Sequence, residues 1–177
     1  MITGSGQGGG NLSQVTSIGN YALQRCGIVH ANFPNVEEIG EYCFSQNAYM
    51  EDVTLSDVVE FVSTEYLFSD CTALKSFTFP ASFTSVGYGM FDGCTALESV
   101  DLNNAKSISN DAFYGCESLS SVKGLGSVTK IKKNAFKGCV KLQTIGLSSC
   151  TSIGAYAFYG CSKLSTVTFS SDLSSLG

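Results

Sequence analysis

Apolar positions recur along this chain in one fixed frame. An anchor residue (Leu23, Phe44, Phe68, Phe91, Phe113, Phe136, Phe158) returns at intervals of 21, 24, 23, 22, 23 and 22 residues. After most anchors come Leu at +6, a β-branched or aromatic residue at +9 and an apolar residue at +11, as in Leu97, Val100, Leu102 and Leu164, Val167, Phe169. The +9/+11 alternation has period two and predicts a short strand. The stretch from Ile108 to Cys116 has apolar residues at +4, +5 and +8, which predicts a helical turn too short for more than two turns. Gly93, Gly115, Gly138 and Gly160 stand two residues after their anchors, where a left-handed residue stops such a turn. Each unit is thus one coil of 21–25 residues: a short helical turn, a bend, a strand and a return loop. A single coil cannot bury its apolar face, so about seven coils stack and pile Phe on Phe and Leu on Leu.

The copies differ in quality. Residues 86–177 are tight, whereas 18–64 are worn, with Arg25, Gln46 and Asp70 where Gly belongs. Residues 61–68 carry about two extra residues, which predicts a bulged return loop. Residues 18–38 read as a degenerate, cap-like coil, and the unit beginning at Leu173 reads as truncated. Residues 1–17 read as a flexible Gly-rich leader. Within it, Gly4-x-Gly6-x-x-Gly9 fits a dinucleotide-binding pattern by letter. It follows Met1-Ile2-Thr3 rather than a buried strand, so it carries no phosphate-binding expectation.

The run Leu142-x-x-Ile145-x-Leu147-x-x-Cys150-x-x-Ile153 matches the leucine-rich-repeat frame. The fuller pattern I-G-x-x-A-F-x-G-C-x-x-L-x-x-[VI]-x-[LF], nearly whole in 108–122, 131–145 and 153–167, resembles the BspA-type (TpLRR-like) leucine-rich repeat of surface proteins. The resemblance spans roughly residues 18–177. It implies an α/β repeat fold: a right-handed leucine-rich-repeat solenoid with a parallel concave sheet and short helical turns on the convex side. It also implies a non-catalytic protein- or glycan-binding module of a cell-surface adhesin, with a part in virulence and with matrix proteins such as fibronectin or fibrinogen as partners. Similar repeats in bacteriophage proteins imply the alternative, a structural spacer or stalk of a surface fibre or phage tail.

Composition narrows the remaining classes. Apolar residues make up 44% and charged residues 14%, with 12 Phe, 19 Gly and no Trp. That is too apolar for a disordered chain and too poor in Gly for collagen. A net charge of −5 argues against nucleic acid as main partner. No apolar run approaches a membrane span. The first ten residues lack the basic and apolar regions of a signal peptide, so a cell-surface or secreted location is expected only for the parent protein. Nine acids and no Lys or Arg lie between residues 36 and 70, and six Lys and no acid between 123 and 141. This split motivates end-to-end self-association or an anionic glycan as partner.

Cysteine is the most conspicuous candidate chemistry, with eight in the chain. Cys71, Cys94, Cys116, Cys139 and Cys161 each stand three residues after an anchor, as does Cys26, and Asn47 replaces the missing member. Recurrence once per coil reads as small apolar groups filling a spine beside Phe44, Phe68, Phe91, Phe113, Phe136 and Phe158. Disulfide pairing is the alternative, opposed by the wide spacing of convex-side neighbours. No C-x-x-C pair exists, and His30 is the sole histidine, so no metal, cofactor or enzyme is expected. The concave face is the expected binding surface. Its +8 and +10 positions are Asp52, Thr54; Ser76, Thr78; Ser99, Asp101; Ser121, Lys123; Thr144, Gly146; and Thr166, Thr168. The +12 positions (Ser56, Pro80, Asn103, Leu125, Ser148, Ser170) are expected to face the same way. The candidate binding residues are Thr54, Ser76, Thr78, Ser99, Asp101, Ser121, Lys123, Thr144, Thr166 and Thr168, although Ser and Thr also suit exposed strands without any ligand.

Overall fold

The computed structural model describes residues 12–177 apart from Val58 and Val62. The Gly4–Gly9 motif and most of the expected leader lie outside the described residues. Residues 12–17, also assigned to that leader, are part of the fold. A 3-10 turn spans Leu12–Gln14, and Leu12 and Val15 pack on the core.

Fifteen short strands follow: β1 (Ser17–Ile18), β2 (His30–Phe33), β3 (Glu38–Ile39), β4 (Asp52–Leu55), β5 (Glu60–Phe61), β6 (Ser76–Thr78), β7 (Ser85–Val86), β8 (Ser99–Asp101), β9 (Ser107–Ile108), β10 (Ser121–Lys123), β11 (Lys130–Ile131), β12 (Thr144–Leu147), β13 (Ser152–Ile153), β14 (Thr166–Phe169) and β15 (Ser175–Leu176). All pairings are parallel and link neighbouring coils. The even-numbered strands form the predicted sheet, in three pieces: β2-β4, β6-β8-β10 and β12-β14. The last division follows from Gly124, whose φ of 79° turns the chain after Lys123 into a 3-10 turn at Leu125–Ser127. The odd-numbered strands lie in the return segments, which were expected to be loops. They form a second sheet in two pieces, β1-β3-β5 and β7-β9-β11-β13-β15.

The convex segments are not helical turns, and no α-helix exists among the described residues. Two left-handed residues bracket every anchor. At +2 stand Arg25, Gln46, Asp70, Gly93, Gly115, Gly138 and Gly160; at −2 stand Tyr21, Tyr42, Tyr66, Gly89, Asp111, Asn134 and Tyr156, all at positive φ. Left-handed residues four apart break the i→i−4 ladder a helix requires. The amides turn outward along the axis instead. The N–H groups at −2, 0 and +2 donate to the following coil, as in Asp111 N to Lys133 O at 3.1 Å, Phe113 N to Ala135 O at 2.8 Å and Gly115 N to Lys137 O at 2.8 Å. The apolar spacing is still what sequence implied, because one face of the turn is buried.

Inside the coils the anchor rings form a column. Centroids are 5.5, 5.4, 5.3, 5.1 and 5.5 Å apart along Phe44, Phe68, Phe91, Phe113, Phe136 and Phe158, with planes within 18° of parallel. All but Phe158 are buried completely. Burying each ring contributes about 1.5–3 kcal/mol, offset by the entropy of ordering its coil.

Candidate functional site

The sheet of even-numbered strands places the predicted ladder in register. Ser76, Ser99 and Ser121 align across three strands, as do Thr78, Asp101 and Lys123. Thr144 aligns with Thr166, Gly146 with Thr168, and Asn32 with Thr54. The residues between them (Phe77, Val100, Ile145) are buried, so alternation holds. The ladder residues themselves are exposed or half-buried. At +12 the expectation fails for Pro80 and Leu125, which are buried because β6 and β10 have already ended and the chain has turned inward.

Hydrogen bonding divides the hydroxyls into two classes. Those flanking the strands are spent within the chain: Ser120, Thr129, Thr151, Ser165 and Ser174 each donate to a carbonyl of the preceding coil. The ladder hydroxyls of Thr54, Ser76, Thr78, Ser99, Ser121, Thr144, Thr166 and Thr168 bond to nothing among the described residues. Asp101 is used locally, accepting from the Asn103 N–H at 3.1 Å. At the first strands His30 Nδ1 meets Asp52 Oδ2 at 2.6 Å, a pair that sequence alone did not bring together.

The spine cysteines are buried, and all eight cysteines are free thiols. Their role exceeds filling space. Each thiol donates to the carbonyl of the preceding anchor: Cys71 to Phe44, Cys94 to Phe68, Cys116 to Phe91, Cys139 to Phe113 and Cys161 to Phe136, at 3.1–3.3 Å. Burial pushes the Cys71 thiol up to about 12 and that of Cys94 well above its ordinary value. A buried thiol held protonated in this way is a poor nucleophile. Asn47 performs the same task more fully. Its Nδ2 donates to Leu23 O at 2.7 Å and Phe44 O at 2.8 Å, while its Oδ1 accepts from the amides of Cys26 at 3.0 Å and Ile28 at 3.3 Å.

Three features escaped the sequence. Tyr21, Tyr42 and Tyr66 form a continuous stack, with centroids 5.0 and 5.2 Å apart, and Tyr88 meets Tyr66 edge-on at 5.0 Å. Lys137 Nζ sits 5.3–6.0 Å from the ring centroids of Tyr114, Tyr156 and Tyr159. A cleft of about 800 Å³ opens where β5 and β7 fall in separate pieces of the second sheet. Its sequence signal was the bulge: strand to anchor takes five residues in other coils, such as Ile108 to Phe113, but seven from Phe61 to Phe68. No helix among the described residues is long and apolar enough to cross a membrane.

The comparisons agree with this architecture. The chain is 27% identical to a leucine-rich repeat protein from Bacteroides ovatus, with a TM-score of 0.71 over 91% of this chain and 48% of that one. Against a leucine-rich repeat protein from Eubacterium ventriosum the identity is 26% and the TM-score 0.61, over 75% of this chain and 43% of that one. The T. pallidum leucine-rich repeat protein shares the fold at 21% identity and a TM-score of 0.53, over 72% of each chain. This chain therefore spans about half or less of the first and second of these proteins. No curated protein matches it. The family described as BspA type leucine rich repeat region matches in six copies over residues 11–105 and 97–177, and the chain belongs to that family.

Proposed function

We propose that this chain is a non-catalytic binding module of a cell-surface or secreted adhesin, whose docking surface is the hydroxyl ladder of the concave sheet. The observation that carries this reading is the unspent hydrogen-bonding capacity of Thr54, Ser76, Thr78, Ser99, Ser121, Thr144, Thr166 and Thr168, held in register within each of the three pieces of the concave sheet. An array of free donors and acceptors suits a protein surface or a glycan, and its placement on paired strands lowers the entropy cost of docking. Lys123 and Asp101 add one charge of each sign to the same rows. Matrix proteins such as fibronectin and fibrinogen are the protein partners proposed.

The test is solid-phase binding of the purified chain to fibronectin, fibrinogen and a glycan panel, beside the triple variant Thr144→Glu, Thr166→Glu, Thr168→Glu. Saturable binding that the variant loses, with melting unchanged, supports an adhesive ladder. No binding by the well-folded chain moves the reading to a structural spacer or stalk. The charge split of the sequence supports a secondary proposal of end-to-end self-association. Self-association indifferent to 0.5 M salt and to Lys132→Glu with Lys133→Glu removes it.

A further inference from the structure

The cleft between β5 and β7 lies outside the ladder, and no ladder residue is among those lining it. Its origin is physical. One coil carries two extra residues between its return strand and its anchor, and the second sheet divides there. Within the cleft Gly87 and Thr64 come so close that only glycine fits at 87: a Cβ there would stand 2.5 Å from Thr64 O and 2.6 Å from Thr64 C. Its volume falls within the range of small-ligand sites.

The lining mixes three chemistries. The carboxylates of Glu60 and Glu65 and the hydroxyl of Thr64 have no side-chain partner among the described residues. Aromatic rings come from Phe61, T-shaped on Phe83 at 5.1 Å, and from Tyr88, edge-on to Tyr66 at the end of the tyrosine column. Lys132 supplies one cation at the rim. A carboxylate accepts only, an ammonium donates only, and a hydroxyl does both. A polyhydroxylated sugar satisfies all three, each hydroxyl donating to a carboxylate or accepting from the ammonium, and it also presents a C–H face to a ring. An acidic sugar would meet two carboxylates in a segment, 36–70, that contains nine acids and no Lys or Arg. We propose that this cleft is a binding site for a short neutral oligosaccharide, independent of whatever the ladder docks.

The experiment presents the full chain to an immobilised panel of neutral and acidic oligosaccharides of two to six sugars, followed by calorimetry with the strongest neutral member. The variants are Glu60→Gln with Glu65→Gln, which preserves shape, and Tyr88→Ala, with folding checked by circular dichroism. The expected result is saturable binding of a neutral oligosaccharide that persists in 0.5 M salt and weakens by about tenfold or more in the double Gln variant. The Thr144, Thr166, Thr168→Glu ladder variant should bind as the parent does. The proposal is overturned if no neutral member binds, if only acidic members bind, or if the double Gln variant binds unchanged. Loss of sugar binding in the ladder variant instead would transfer the site to the concave sheet and overturn it equally.

Discussion

Replacing Asn47 by Cys would make the repeat more regular and the protein less stable. Asn47 is fully buried and bonds to four backbone groups, those of Leu23, Phe44, Cys26 and Ile28. A thiol there can still donate to Leu23 O, as the five spine thiols do to the anchors before them. Phe44 O stays satisfied because Cys71 Sγ also donates to it at 3.2 Å. The Cys26 amide belongs to an exposed residue and finds water. The Ile28 amide does not, since Ile28 is only 5% exposed. One orphaned buried donor plus one bond exchanged for water costs about 2–4 kcal/mol. For a chain of this size that lowers the melting temperature by ~2–4 °C per kcal/mol. Urea unfolding followed by circular dichroism measures the loss, and native-state hydrogen exchange locates it at the Ile28 amide. Stability within about 0.5 kcal/mol of the parent, with Ile28 equally protected, would refute the reasoning.

Phe113→Ala should cost on the order of 3–5 kcal/mol, because it empties the middle of the ring column; a variant melting within a degree of the parent would show that the column relaxes to close the gap. Alkylation at pH 8 should modify one thiol in the native chain, the exposed Cys26, and all eight after unfolding; rapid modification of a second native thiol would contradict the spine bonds. Half-burial, with Asp70 and then Asp111 nearby, raises the Asp92 carboxyl from 3.8 to about 6. The folded state thus holds this proton more tightly than the unfolded state, and the group's destabilising effect grows as pH rises from about 4 to about 6 and stays full above. Asp92→Asn should therefore raise the melting temperature at pH 7 and leave it unchanged near pH 4, and a gain equal at both would sink the assignment.

The coil repeat and its ring column were legible because a side chain buried once per turn must recur at the period of the turn. The left-handed residues at +2 were legible wherever Gly marked them. Most of those at −2 were not, because Tyr21, Tyr42, Tyr66 and Tyr156 occupy a conformation their type avoids, and only Gly89, Asp111 and Asn134 carry a hint. That omission produced the helical expectation: amides that bond to the next coil leave the same apolar spacing as amides that bond within a helix. Strands of two residues, such as β9 and β11, are too short to show alternation, so the second sheet read as loop. The ladder positions followed from period two, but Pro80 and Leu125 did not, because periodicity cannot say where a strand stops. The bulge after Phe61 was countable in the sequence. The cleft beside it was not, because its walls come from successive coils, Glu60 and Glu65 from one and Ser85 and Tyr88 from the next, which no single coil reveals.

The two sheets divide at different places with one exception. Between β4 and β6, and between β5 and β7, both are interrupted at the same junction. The column and the convex bonds continue across it: Phe44 stacks on Phe68, and the amides of Tyr42, Phe44 and Gln46 reach Glu65, Leu67 and Ser69. On the sheet sides the two halves are tied by side chains instead: Lys75 Nζ to Glu51 Oε2 at 3.3 Å, Ser82 Oγ to Val59 O at 3.0 Å and Phe61 on Phe83 at 5.1 Å. In mechanical terms this junction has lost both of its β-ladders, so bending of the solenoid is resisted less there than where a ladder continues. Bending at this step changes the distance from Glu60 and Glu65 to Ser85 and Tyr88 across the cleft, which makes its width a readout of load along the chain.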